Sequence, residues 1–111
     1  MKKTYRNYWV IPAINQPIIT YKLNMLCEKV CNIYNITEAQ LKGINRRRDI
    51  VVPRQLMCYI MRRNFKMGYS AIATYFNKNH ATIIHAERSI ENLTSYDKVL
   101  KEELNTLYRI I

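Results

Sequence analysis

Residues 76–90, FNKNHATIIHAERSI, carry the side chains of this chain best suited to chemistry. Lys78 offers a cation, His80 and His85 imidazoles, Thr82 a hydroxyl, Ala81 a methyl group and Arg88 a guanidinium. On the first turn of a helix, a cation, an imidazole, a hydroxyl and a methyl are groups that recognise base edges in a major groove. Ile83, Ala86, Ile90 and Leu93 recur at helical spacing and are expected to face a core. The polar set is left to the opposite side and the leading turn. Two local uses compete: Thr82 can bond within its own first turn, and His85 can pack internally.

A helix must hold these groups, and the surrounding pattern supplies it. Asn79 is the expected N-cap of a helix from His80 to about Asn92. A short helix over residues 70–76, anchored by Ile72 and Phe76, precedes the Asn77-Lys78 turn, and Ile83 and Ile84 are expected to hold the two helices together. A short helix, a tight turn and a second amphipathic helix form a helix-turn-helix. Upstream, Leu23, Leu26, Val30 and Ile33 stripe a helix starting near Tyr21. Thr37-Glu38-Ala39-Gln40 reads as a capping box, with Gly43 as the stop. Residues 45–52 read as a basic loop, with Pro53 at the first position of the next helix and Leu56, Met57, Ile60 and Met61 as its core stripe. Thr94 and Asp97 mark the start of a closing helix striped by Val99, Leu100, Leu104, Leu107 and Ile111. The expected fold class is all-α, a bundle of five or six helices over residues 21–111. Residues 1–20 form a separate apolar strap or docking segment, because Pro12 and Pro17 interrupt its aromatic and aliphatic side chains.

Net charge is +10, which points to an acidic polymer or surface as partner. The excess is concentrated in residues 42–66, where Lys42, Arg46, Arg47, Arg48, Arg54, Arg62, Arg63 and Lys66 face one carboxylate, Asp49. Arg46, Arg47 and Arg48 are expected on phosphate. Arg54 and Arg62, about two turns apart, are expected to grip one strand together, with Arg63 pointing elsewhere. Three cysteines do not make a disulfide framework. Cys27 and Cys31 find no histidine pair to complete a metal site, so buried thiols are expected. Two glycines cannot build a phosphate loop, and no nucleophile–base set or paired carboxylates converge. The expectations are no enzyme, no cofactor and no metal. No apolar run reaches the roughly 18 residues of a membrane span, and no secretory leader is visible, which places the chain in the cytoplasm, on the nucleoid of a bacterium or an infected bacterial host.

Pro53-Arg54-Gln55 with Met57 and Tyr59, then Ile72 and Phe76, then His80-Ala81-Thr82-Ile83-Ile84-His85-Ala86 resembles the C-terminal DNA-binding domain, domain IV, of the bacterial replication initiator DnaA family. The resemblance covers roughly residues 22–110 and implies a Trp-repressor-like helix-turn-helix that binds double-stranded DNA. By position it implies base reading by Lys78, Asn79, His80, Ala81 and Thr82. It also implies phosphate contact at Arg62 and at Tyr69 and Ser70, and it sets Arg54 at the family's Arg-Gln pair. The sequence departs from the family at Asn79, where an aspartate is usual, and at Ala81, where a threonine is. The turn after Phe76 is one residue shorter and lacks a glycine pair, and Val52 stands where an arginine enters the minor groove.

The leading expectation is a stand-alone, sequence-preferring duplex-DNA binder without a motor, acting in replication-initiation control or transcription regulation in a phage or mobile element. Its base contacts are Lys78, Asn79, His80, Ala81, Thr82 and His85. Its phosphate or minor-groove contacts are Arg46, Arg47, Arg48, Arg54, Arg62, Lys66, Tyr69, Ser70 and Arg88. It is expected to be monomeric. The rival is an interaction module that binds a replication protein through residues 1–20 and the basic face; binding to anionic membrane surfaces is a third reading.

Overall fold

The computed structural model describes residues 12–44 and 46–109, with side chains from residue 19 onward. Six helices follow one another: α1 (Pro12–Tyr34), α2 (Glu38–Lys42), α3 (Arg48–Arg63), α4 (Tyr69–Phe76), α5 (His80–Thr94) and α6 (Lys98–Tyr108). Among the described residues there is no strand, and no helix is long and apolar enough to cross a membrane. The all-α expectation holds.

Helix α3 is the centre of the bundle, packed against α1, α2, α4 and, most extensively, α5. Its Leu56, Met57, Ile60 and Met61 are fully buried, with Leu26 and Val30 of α1, Phe76 of α4, and Ile83 and Ile90 of α5 around them. Burying aliphatic side chains of this size contributes about 1.5–3 kcal/mol each, and so sets the packing order. Leu100, Leu104 and Leu107 fasten α6 to this core.

The ends of the helices follow the local code. Thr37 and Gln40 close a capping box at α2, the Gln40 N–H donating to Thr37 Oγ1 at 3.1 Å and the Thr37 N–H to Gln40 Oε1 at 2.9 Å. Gly43 stops α2 because a Cβ there would lie 2.9 Å from the Ala39 carbonyl oxygen. Asn35 ends α1 in the left-handed conformation (φ 55°). The Ile36 N–H then donates back to the Cys31 carbonyl at 3.0 Å, and Ile36 packs on the core, a Schellman closure.

The starts of α1 and α3 and one member of the closing stripe need correction. Helix α1 begins at Pro12, not near Tyr21, because proline at a first helical position gives up an N–H that has no partner there. Residues 1–11 of the expected strap lie outside the described residues. Helix α3 begins at Arg48, so much of the expected basic loop is helical and Pro53 lies within the helix. Burial of Ile50 and Pro53 holds that extra turn in place. Val99 is 71% exposed, one residue off the Leu100–Leu104–Leu107 stripe; Ile111 is outside the described residues. Of the cysteines, Cys27 and Cys58 are buried and Cys31 half-buried, all as free thiols. Burial raises Cys58 to about 12 and Cys31 to about 11. Among the described residues no metal-ligating group of three forms.

Candidate nucleic-acid interface

Helices α4 and α5 and their turn build the helix-turn-helix. Asn77 takes the left-handed conformation (φ 55°), and the Lys78 N–H donates to the Ala73 carbonyl at 2.9 Å. One asparagine thus reverses the chain where a glycine would be usual, since its short polar side chain tolerates this region. Ile72, Ala73 and Phe76 meet Ile83, Ala86 and Ile90 in the core. Ile84, expected at this contact, is half-buried, and the pair closes on Ala86 and Ile90 instead.

The amino end of α5 stands free. Asn79, His80, Ala81, Thr82 and His85 are all exposed, as is Arg88 further along. Asn79 Oδ1 accepts from the Thr82 N–H at 2.8 Å and from the Thr82 hydroxyl at 2.9 Å. Asn79 is therefore the expected cap, and Thr82 keeps its methyl and hydroxyl lone pairs outward while its proton is engaged. His80 Nε2 lies 3.2 Å from Ser70 Oγ, joining the first turns of the two motif helices. His85 Nε2 lies 3.4 Å from Ser89 Oγ.

Lys78 does not stand among the free groups. It is half-buried, and its Nζ donates to the Gly43 carbonyl at 2.8 Å, tying the turn before α5 to the loop between α2 and α3. Burial, and then the nearby Arg54 and Arg46 charges, hold its amine below the usual range.

The cations separate into two groups. Arg46, Arg48, Lys66 and Arg88 are exposed, and among the described residues none is in an ion pair. Arg47 is exposed too, but its guanidinium binds both carboxylate oxygens of Asp49, at 3.1 and 2.8 Å. Arg54 departs from the expected grip on a strand. It is 9% exposed, donating from Nε to the Leu41 carbonyl at 2.7 Å and from Nη2 to the Gln40 carbonyl at 3.2 Å. A guanidinium on the last carbonyls of α2 satisfies groups that the helix itself leaves open. Arg62 donates to the Met67 carbonyl at 3.1 Å and lies over the Tyr69 ring at 4.2 Å, half-buried. Ser70 is exposed, whereas the Tyr69 hydroxyl is engaged by Glu87.

Sequence reasoning missed Glu87. Its carboxylate is nearly buried between α3, α4 and α5, accepting from Arg63 Nε and from the Tyr69 hydroxyl, each at 2.6 Å. Burial by itself would raise its pKa; the hydrogen bonds from Arg63 and Tyr69 outweigh that and leave it lowered. Arg63 also reaches Glu91 at 3.1 Å; it was expected to point elsewhere, but it lines one cleft with Arg62 and Lys66. The sequence held one signal: an acidic residue four after Ile83, inside the buried stripe. Also missed were Gln55, Ser89 and Asn92, which line an open cleft with Arg46, Arg48 and His85. From His85, Ser89 and Asn92 continue one helical face and extend the polar surface of α5.

Comparison with known proteins agrees with this geometry. The family model described as the bacterial dnaA protein helix-turn-helix matches residues 23–90. The chromosomal replication initiator protein DnaA of Geobacter metallireducens is 37% identical over 86 residues, covering 77% of this chain and 19% of that protein. The protein of the same name from Thermoanaerobacter sp. (strain X514) is 33% identical over 93 residues, 84% of this chain and 20% of its own length. The chain thus spans about a fifth of the length of these curated relatives. With the free amino end of α5, its Asn79 cap and the α4–α5 packing all inside the matched residues, the chain belongs to the bacterial DnaA helix-turn-helix family.

Proposed function

We propose that this chain binds double-stranded DNA with a preference for sequence, inserting the amino end of α5 into a major groove, and that it acts in the control of replication initiation. The observation that carries the reading is the exposed first turn of α5, with Arg46, Arg48, Lys66 and Arg88 exposed and, among the described residues, in no ion pair. His80, Ala81, Thr82 and His85 are the base-reading groups, and Asn79 orients Thr82. The exposed arginines, Lys66 and Ser70 contact phosphate. Family membership and the relatives' name, chromosomal replication initiator protein, support the biological assignment. These residues need no motor to bind, so the module can occupy or compete for initiator sites, or repress a promoter, by binding alone.

Selection of bound duplexes from a random pool, at a stated salt concentration, tests this. A motif is expected to emerge, and His80→Ala with Thr82→Val is expected to lower affinity for it by about 1–3 kcal/mol per lost contact. Binding to unrelated duplex should stay nearly constant. Enrichment of no motif would reduce the reading to backbone binding, and no duplex binding at all would leave an interaction module as the better description.

A further inference from the structure

We propose that Asn79 is a specificity-determining residue that reads guanine, through a donor-only amide edge that the cap of α5 itself creates. The proposal rests on the reading of α5 above and deepens it by naming the base taken at one position of the duplex.

The cap settles which end of the amide is left over. Asn79 Oδ1 accepts from the Thr82 N–H at 2.8 Å and from the Thr82 hydroxyl at 2.9 Å. A backbone N–H can only donate, so the atom it meets is the amide oxygen, and the other branch is the amide nitrogen. Both lone pairs of Oδ1 are then in use. Asn79 is exposed, and among the described residues its Nδ2 donates to no group. An unengaged asparagine offers a donor and an acceptor side by side, and so pairs with adenine N6 and N7. Asn79 has given up the acceptor half. What remains for the groove is one nitrogen with two hydrogens.

Such an edge sorts the four bases. Guanine shows two neighbouring acceptors, N7 and O6, and can take both hydrogens. Thymine shows O4 alone. Adenine sets its N6 amine beside N7, and Asn79 has no acceptor left to meet that amine. Cytosine shows only the N4 donor, which opposes Nδ2. Guanine therefore ranks first and cytosine last. The position suits the contact, because a recognition helix touches base edges with its N-terminal residues, and the two bonds from Thr82 hold the amide in one orientation. Aspartate, usual in the family here, would spend one oxygen on the cap and turn the other outward. That oxygen is an acceptor, matched to cytosine N4. Nitrogen in place of oxygen inverts the readout, so this chain should differ from an aspartate-bearing relative in the base it prefers there.

The test compares the whole unsubstituted chain with Asn79→Asp, each by selection from a random duplex pool at one salt concentration and neutral pH. Aspartate caps a helix about as well as asparagine, so thermal unfolding should be unchanged and a changed motif reports readout. The unsubstituted protein should select guanine at one position where the variant selects cytosine, with the other positions shared. Reversing that base pair in the guanine site should weaken the unsubstituted protein by roughly 5- to 150-fold. 7-Deazaguanine, which lacks the N7 acceptor, should also weaken it while leaving the variant's binding to that site unchanged. Identical motifs from the two proteins, or indifference of the unsubstituted protein to 7-deazaguanine, refutes the assignment. Failure to bind duplex or to select any motif sinks the underlying reading of α5 and this one with it, so the two failures are distinguishable.

Discussion

Glu87 is one of two charged residues buried among the described residues. Its carboxylate holds Arg63 from α3 and Tyr69 from α4 on the buried edge of α5, so it helps to set the angle at which α5 leaves the domain. Replacement by glutamine keeps the volume, removes the charge and weakens both bonds. Glu87→Gln should destabilise the fold by about 1–3 kcal/mol, measured by urea unfolding at neutral pH. The sign of its pH dependence follows from a pKa held below the ordinary 4.5. Its contribution is fully present above the unfolded value and fades as pH falls through the lower folded value. The stability difference between the two proteins should therefore be constant at neutral pH and shrink in acid below about 4.5.

At the scale of elements, the α4–α5 turn rests on one backbone conformation. Asn77 at φ 55° closes the turn, and Asn79 caps the next helix. Asn77→Gly should leave thermal stability unchanged or raise it, because glycine has no Cβ cost in the left-handed region. Asn77→Val should lower stability by about 1–2 kcal/mol, read as a lower midpoint of thermal unfolding. The caps at Thr37, Asn79 and Asp97 were legible because each is decided within four residues of sequence. The start of α3 was not. Pro53 suits a helix start by local rules, whereas the actual start lies at Arg48, with Ile50 buried in the added turn.

At the scale of the molecule, a net charge of +10 is divided between cations that face solvent and cations that hold the fold. Neutralising phosphate releases counterions, so each lost contact reduces the slope of log affinity against log salt by about 1. Arg46→Ala or Arg48→Ala should lower that slope by about 1. Arg54→Ala should leave the slope unchanged and instead destabilise the fold, since its guanidinium serves the α2 carbonyls. Binding measured over a salt series, with unfolding measured in parallel, separates the two roles. An Arg54 variant with a reduced slope and normal stability would return it to the DNA surface.

The amino-acid sequence by itself determined the helical class, the helix-turn-helix with its exposed α5 turn, and the family resemblance, because periodicity, capping and motif spacing are properties of neighbouring residues. It also located the excess of positive charge. Tertiary structure alone decided which of those charges are available. Arg54 and Lys78 are directed by carbonyls 13 and 35 residues away along the chain, and Glu87 is buried by helices that meet it only after folding. Such contacts depend on how α2, α3 and α5 are brought together, and no local pattern encodes that arrangement.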